Sequence, residues 1–189
     1  MIKVVTLFVL PVLLACAIGC ARTPPTEEVT PTETSGMPLI ITSDAFADGS
    51  NIPVKYTCQG ENLSPALSWA QAPAGTASLA LIMYDPDATF THWVVFNLPK
   101  DSSGLPEGVT KDTVLESGTL QGNTGARRIG YVGPCPPKGA PHHYIFTLYA
   151  LDISLSLDAG ATKDQVLQAM EGHILGQAQL VGLYKNSNQ

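Results

Sequence analysis

The residues of this chain best suited to chemistry lie in two short stretches. One is Asp85-Pro86-Asp87 followed by His92-Trp93; the other is Gly130-Tyr131-Val132-Gly133-Pro134-Cys135-Pro136-Pro137 followed by His142-His143-Tyr144. They supply imidazoles, carboxylates, a phenol and glycine amides. Alternate residues of a strand share a face, so His142 and Tyr144 project together while His143 points to the other side. An imidazole and a phenolic hydroxyl side by side can both donate to an anion. Gly130 and Gly133 let the backbone approach a ligand and offer amide donors. Pro134, Pro136 and Pro137 stiffen that loop, and a pocket that is rigid beforehand loses less entropy on filling.

Asp85 and Asp87 flank a proline, which sets their directions. Carboxylates inside an anion pocket make sense if they orient His92 or His142 and raise its pKa, keeping an imidazole cationic near neutral pH. They also suit the amine of a zwitterionic headgroup such as ethanolamine. Affinity carried by a cationic imidazole falls as pH rises past the histidine's bound-state pKa.

Other chemistries find little support. No Gly-x-Ser-x-Gly elbow occurs. Cys135 with His142 is the one candidate nucleophile–base pair, and burial among prolines or a bridge to Cys58 leaves that thiol inert. A zinc site from His92, His142 and Asp85 ranks low, since HExxH and paired-cysteine spacings are absent. No metal and no cofactor is assigned, and neither a Walker loop nor a dinucleotide fingerprint is present. A net charge of -6 without a basic stripe argues against nucleic acid, so any anion site must be built locally. Trp93, Phe96, Phe146 and Tyr149 read as core, Arg127-Arg128 as a solvated or salt-bridged pair, and Asp101, Glu107 and Asp112 as ordinary loop charges.

Strand-like runs separated by proline and glycine must position these groups. They are 38–42, the alternating 53–57, the apolar 78–84, 92–98, 143–151 and a closing run at 177–184. Short strands at this spacing predict an all-β sandwich of Greek-key type. One helix is signalled by the Thr162/Gln165 capping box and by Val166, Met170 and Ile174 at helical spacing, with Gly176 to end it. Residues 47–52, 101–113 and 118–127 read as loops.

Residues 1–20 read as a lipoprotein-type signal peptide: Lys3, an apolar run from Val4 to Ile18, then Gly19-Cys20. The run is shorter than the roughly 20 residues of a bilayer span. Cys20 is the expected lipidation site and Cys16 the alternative; plain secretion is the other reading. Residues 21–37, rich in Pro, Thr and Glu, are a tether, and 38–187 form one domain. Cys58 and Cys135 remain as a disulfide candidate, with two buried thiols as the alternative.

In order, residues 56–65 (Tyr-Thr-Cys-Gln-Gly-Glu-Asn-Leu-Ser-Pro), Asp85-Pro86-Asp87 with His92-Trp93, Gly133-Pro134-Cys135-Pro136-Pro137 with His142 and Tyr144, and Phe146 to Leu151 resemble the phosphatidylethanolamine-binding protein family in its bacterial Raf-kinase-inhibitor-like branch. The resemblance spans essentially the whole domain. It implies a β-sandwich with one or two peripheral helices and a pocket for phosphate-like groups at one edge. Position by position, that pocket comprises Asp85, His92, Gly133, Pro134, His142 and Tyr144, with Asp87 in the same motif. The resemblance further implies a cis bond at Asp85–Pro86. The chain departs from the branch in the shorter segment Ala88-Thr89-Phe90-Thr91 and in His143, where arginine is usual.

The expected function is a non-catalytic binding protein for phosphate-like or phospholipid-headgroup ligands, anchored outside the cytoplasm on a bacterial membrane through its lipid. The alternative is a protein-interaction module that inhibits a kinase or protease through a protein partner. A weak hydrolase or metal-dependent enzyme comes third.

Overall fold

The computed structural model describes residues 38–186. The expected signal peptide, the tether, and Cys16 and Cys20 lie outside the described residues. In chain order the elements are β1 (Ile40–Thr42), β2 (Ser50–Asn51), a 3-10 turn (Val54–Tyr56), β3 (Leu67–Ala70), β4 (Ser78–Asp85), β5 (Phe90–Pro99), β6 (Gly104–Leu105), β7 (Leu120–Gln121), β8 (His142–Leu151), α1 (Lys163–Met170) and β9 (Ile174–Tyr184). The described residues are thus mostly β with a single α-helix.

One sheet has three strands in the order β1-β3-β6, and the other six in the order β2-β9-β8-β4-β5-β7. The larger sheet is mixed, because β2 runs parallel to β9 while its other pairs are antiparallel. It is not a closed barrel.

β4 and β5 show why the large sheet lies at the centre. Leu79, Leu81 and Met83 of β4, with Trp93 and Val95 of β5, join Ile41, Leu67 and Trp69 of the small sheet in one apolar cluster. Their neighbours Ala80, Ile82, Val94 and Phe96 join Val166 and Met170 of α1 in a second. Both strands therefore bury both faces; over Leu79–Met83 and Trp93–Phe96 the even residues face the helix and the odd ones the small sheet, as the pleat dictates. Burying a large aliphatic or aromatic side chain contributes roughly 1.5–3 kcal/mol. Trp93, Phe96 and Phe146 are core as expected, and Tyr149 is half-buried against the second cluster.

Several elements differ from the pattern reading. The run 53–57 is a 3-10 turn: the Tyr56 and Thr57 amides donate to the Pro53 and Val54 carbonyls, which coils the alternating segment. Segments 47–52, 101–113 and 118–127 contain β2, β6 and β7, each too short for any period to register. β3 was not foreseen. The capping box of α1 forms as expected, but the helix stops at Met170. Gly172, at φ 79°, takes the left-handed conformation that turns the chain out of the helix, so Ile174 opens β9. Glu107 is more than a loop charge: it accepts from Lys55 Nζ and from the Tyr56 hydroxyl, both at 2.6 Å. Cys58 and Cys135 form a disulfide, with Cα atoms 5.4 Å apart.

Candidate functional site

Three neighbouring strands of the large sheet bring the chemistry to one end. β4 and β5 form a hairpin closed by Pro86-Asp87-Ala88-Thr89, with Asp85 opposite Phe90. β8 lies on the other side of β4, with Ile145 opposite Tyr84. Asp85, His92, His142 and Tyr144 accordingly line a single cavity of about 280 Å³ together with Phe90, Val132 and Pro136. A larger hollow, about 470 Å³, is lined by Leu98, Leu105, Val109 and Val114. It has no histidine and no buried polar group aimed into it, so the chemistry belongs to the smaller cavity.

His92 reaches the cavity through an irregularity. Met83 pairs with Trp93 and Tyr84 with Thr91, which leaves His92 as the extra residue of a β-bulge. Bulges re-aim a side chain in this way and recur beside functional sites. The imidazole is clamped between rings, 4.8 Å from Phe90 and 5.1 Å from Tyr144 by centroids, both edge-on. Its Nδ1–H donates to the Val132 carbonyl at 2.6 Å, which leaves Nε2 as the free nitrogen.

Burial pushes the His92 pKa down; the Val132 carbonyl and Asp85 oppose that shift, and His142 adds to it. The expectation that a carboxylate keeps His92 cationic is corrected here, because burial outweighs the opposing charge of Asp85. A neutral buried histidine makes stability depend on pH. The unfolded chain takes up a proton near pH 6.5 while the folded site resists it. His92 therefore contributes stability fully above about pH 6.5, and that contribution is lost as pH falls below this value. Denaturant midpoints between pH 7.5 and 5.5 should drop more steeply in the native protein than in His92→Asn, a comparison that cancels the other histidines. Equal slopes would contradict the assignment.

Asp85 is buried and is the organiser of the site. Oδ1 accepts the amides of Asp87 (2.8 Å) and Ala88 (3.1 Å), closing the turn, and Oδ2 accepts His142 Nδ1–H at 2.8 Å. This Asx-type turn accommodates a trans Asp85–Pro86 bond. Every described peptide bond is trans, so the expected cis proline is absent. With Nδ1 held by Asp85, His142 presents Nε2 as its free nitrogen.

Tyr144 is fully buried and its hydroxyl has no hydrogen-bond partner. It lies near Asp85 without a well-formed hydrogen bond to that carboxylate. Burial, followed by the charges of Asp85 and Asp87, holds the phenol above its ordinary range, so it remains a donor. An orphaned donor costs about 1–3 kcal/mol unless something in the cavity accepts from it.

The remaining expected residues sit at or behind the walls. Asp87 is exposed at the rim, where its Oδ2 accepts the His143 amide and His143 Nδ1–H at 2.7 and 2.9 Å. Those bonds, the amide first, pull its carboxyl below the usual range. His143, on the opposite face from His142 as alternation requires, thus anchors the turn. Gly133 lines the cavity, but its amide donates to Asn62 Oδ1 at 2.7 Å. A Cβ there would stand 2.5 Å from the Tyr56 carbonyl oxygen, so glycine is needed for packing and its amide is not offered to a ligand. Pro134 is buried behind the lining, its carbonyl accepting the Cys58 amide at 3.0 Å. Gly130 adopts φ 83° at a turn outside the cavity.

Phe90 was not foreseen as a wall residue, although the alternation that pairs His142 with Tyr144 also pairs it with His92. Asn62 had no local signal, since its partner lies 71 residues away.

Two sheets of a mostly β fold thus bring two histidines, a buried carboxylate and a phenol without a hydrogen-bond partner around one small hollow at the end of the larger sheet. The phosphatidylethanolamine-binding protein family model matches residues 42–185, and the chain belongs to that family. It is 54% identical over 144 residues to a UPF0098 protein of Methanothermobacter thermautotrophicus, covering 75% of this chain and 95% of that one. It is 43% identical over 164 residues, 85% of this chain and 79% of the relative, to a Mycobacterium tuberculosis protein whose name marks it as a candidate lipoprotein. A solved phosphatidylethanolamine-binding protein homologue from Chlamydia trachomatis is similar at 42% identity and a TM-score of 0.72, covering 79% of this chain and 99% of that one.

Proposed function

We propose that this protein is a non-catalytic binding protein whose cavity takes a small phosphate- or carboxylate-bearing group, a phospholipid headgroup included. The carrying observation is the meeting in one hollow of His142, the unpartnered Tyr144 hydroxyl as a donor, and neutral His92, whose Nε2 accepts from a hydroxyl or ammonium hydrogen of the ligand. At about 280 Å³ the cavity falls just under the roughly 300–1,000 Å³ of drug-sized sites. That suits a headgroup and not acyl chains. Its apolar walls strengthen the few polar contacts inside. The nucleophile of the enzyme alternative is lost, because Cys135 is in a disulfide.

We read the two sheets facing across the first apolar cluster as a sandwich of Greek-key type. We also read the chain as an extracytoplasmic lipoprotein acylated at Cys20, or at Cys16. The mycobacterial relative whose name marks it as a candidate lipoprotein supports that reading, and no described helix is long and apolar enough to cross a membrane.

Calorimetric titration with phosphate and with phosphoethanolamine tests the proposal. Binding should be saturable in the native protein and at least tenfold weaker in His142→Ala, the loss expected from about 1.4 kcal/mol of charge-assisted contact. No heat from either ligand, or an unchanged affinity in His142→Ala, would overturn it.

A further inference from the structure

The geometry points to a divalent-cation site at the rim of this cavity, formed by Asp85, Asp87 and His142. One ligand atom from each lies within 4.8 Å of the other two. His142 Nδ1 and Asp85 Oδ2 are 2.8 Å apart and share the Nδ1 proton, so an ion entering here would displace that proton to solvent and spread the pair toward the roughly 3.4 Å between adjacent ligands of a tetrahedral ion with bonds of about 2.1 Å. The third ligand atom, from Asp87, lies within 4.8 Å of both and needs to close by at most about 1.4 Å to reach that spacing. Asp87 lies exposed at the rim, where two bonds from His143 to its Oδ2 orient the carboxylate. Hydrogen bonds of this kind orient ligating carboxylates in metal sites.

A second observation is independent of the cluster. The Tyr144 hydroxyl is completely buried beside Asp85 and donates to nothing. Water or an anion carried by a bound ion would give that donor its acceptor. The cation also resolves the charge conflict of the site. Two carboxylates at the mouth of a cavity repel an incoming anion, whereas a dipositive ion between them reverses the local sign.

The donor set selects the class of ion. One imidazole nitrogen and two carboxylate oxygens suit a first-row divalent ion such as zinc or manganese. Calcium seeks six to eight oxygens and is poorly served. Thiolates play no part, since Cys58 and Cys135 are bridged.

The inference goes beyond the anion reading and is tested separately. Zinc chloride is titrated calorimetrically into the full chain, stripped with chelator and held in phosphate-free buffer. One equivalent should bind, with at least tenfold weaker binding in Asp87→Asn and in His142→Gln. His173→Gln should leave zinc affinity unchanged, because that histidine pairs with Asp152 at a separate place. Asp87 lies at the surface, so its asparagine variant retains the fold. Calcium should produce no comparable heat. Absence of zinc binding, or binding that survives both rim variants or disappears with His173→Gln, overturns the site. Phosphate titrated into the metal-free and zinc-loaded protein then separates the two readings: silence in both sinks the anion pocket, and the zinc titration alone decides the cation site.

Discussion

Replacing Asp85 by alanine should destabilise the folded protein by about 3 kcal/mol and lower the melting temperature by about 6–12 °C. The size follows from the bonds lost. Asp85 is 2% exposed and accepts three hydrogen bonds, from the Asp87 and Ala88 amides and from His142 Nδ1. Bonds to a charged group contribute roughly 1.5–3 kcal/mol each. Water can rescue the two amides, because they lie in an exposed turn, so the full sum is not expected. Asp85→Asn separates the roles of the two oxygens. Its carbonyl still closes the turn, while its amide places a donor against the His142 donor. We expect a cost of about 1–2 kcal/mol together with a loss of ligand affinity as large as that of His142→Ala. Urea midpoints measure the first effect and calorimetry the second. Native-like stability in Asp85→Ala, or equal costs in the two variants, would contradict this account.

Loss of the Cys58–Cys135 bridge should be larger still. The two cysteines are 77 residues apart, and loop-closure entropy for that length gives about 4 kcal/mol. For a domain of this size the melting temperature should fall by about 8–16 °C. The pocket itself should outlast the bridge at 25 °C. Its wall is also fastened by the Cys58 amide on the Pro134 carbonyl, the Tyr131 hydroxyl on the Tyr56 carbonyl and the Gly133 amide on Asn62. The cost therefore arises mainly in the unfolded chain, which gains freedom when the link is cut. Melting curves with and without reductant, and of Cys58→Ser/Cys135→Ser, provide the check, with phosphate affinity measured alongside below the transition. An unchanged melting temperature would refute the stability claim. Lost affinity in a still-folded reduced protein would show that the bridge itself shapes the site.

These two residue sets also show what was legible in the sequence. Cysteines in turn-rich segments of a domain read as exported suggested a bridge, and the structure contains it. The shared direction of His142 and Tyr144 followed from strand alternation, and the Thr162/Gln165 capping box from local spacing. Non-local geometry was out of reach. His92 enters the cavity because of a bulge, which depends on the register between β4 and β5. Asp87 meets His143 because the hairpin turn folds over the start of β8. Gly133 gives its amide to Asn62, a partner brought close only by the folded chain. Over five residues, alternation could not distinguish a strand from the 3-10 turn at Val54–Tyr56. Two-residue strands such as β2, β6 and β7 have no period to read.

Nitrogen-15 spectra of the histidine side chains, recorded while phosphate is added to the protein at constant pH, test the proposed shared ligand most directly. The chain has four histidines. The account predicts that Nε2 of His92 and Nε2 of His142 shift together along one saturation curve, while His143 and His173 stay in place. Shifts confined to His143 or His173, or separate curves for His92 and His142, would show that the two imidazoles do not serve one ligand.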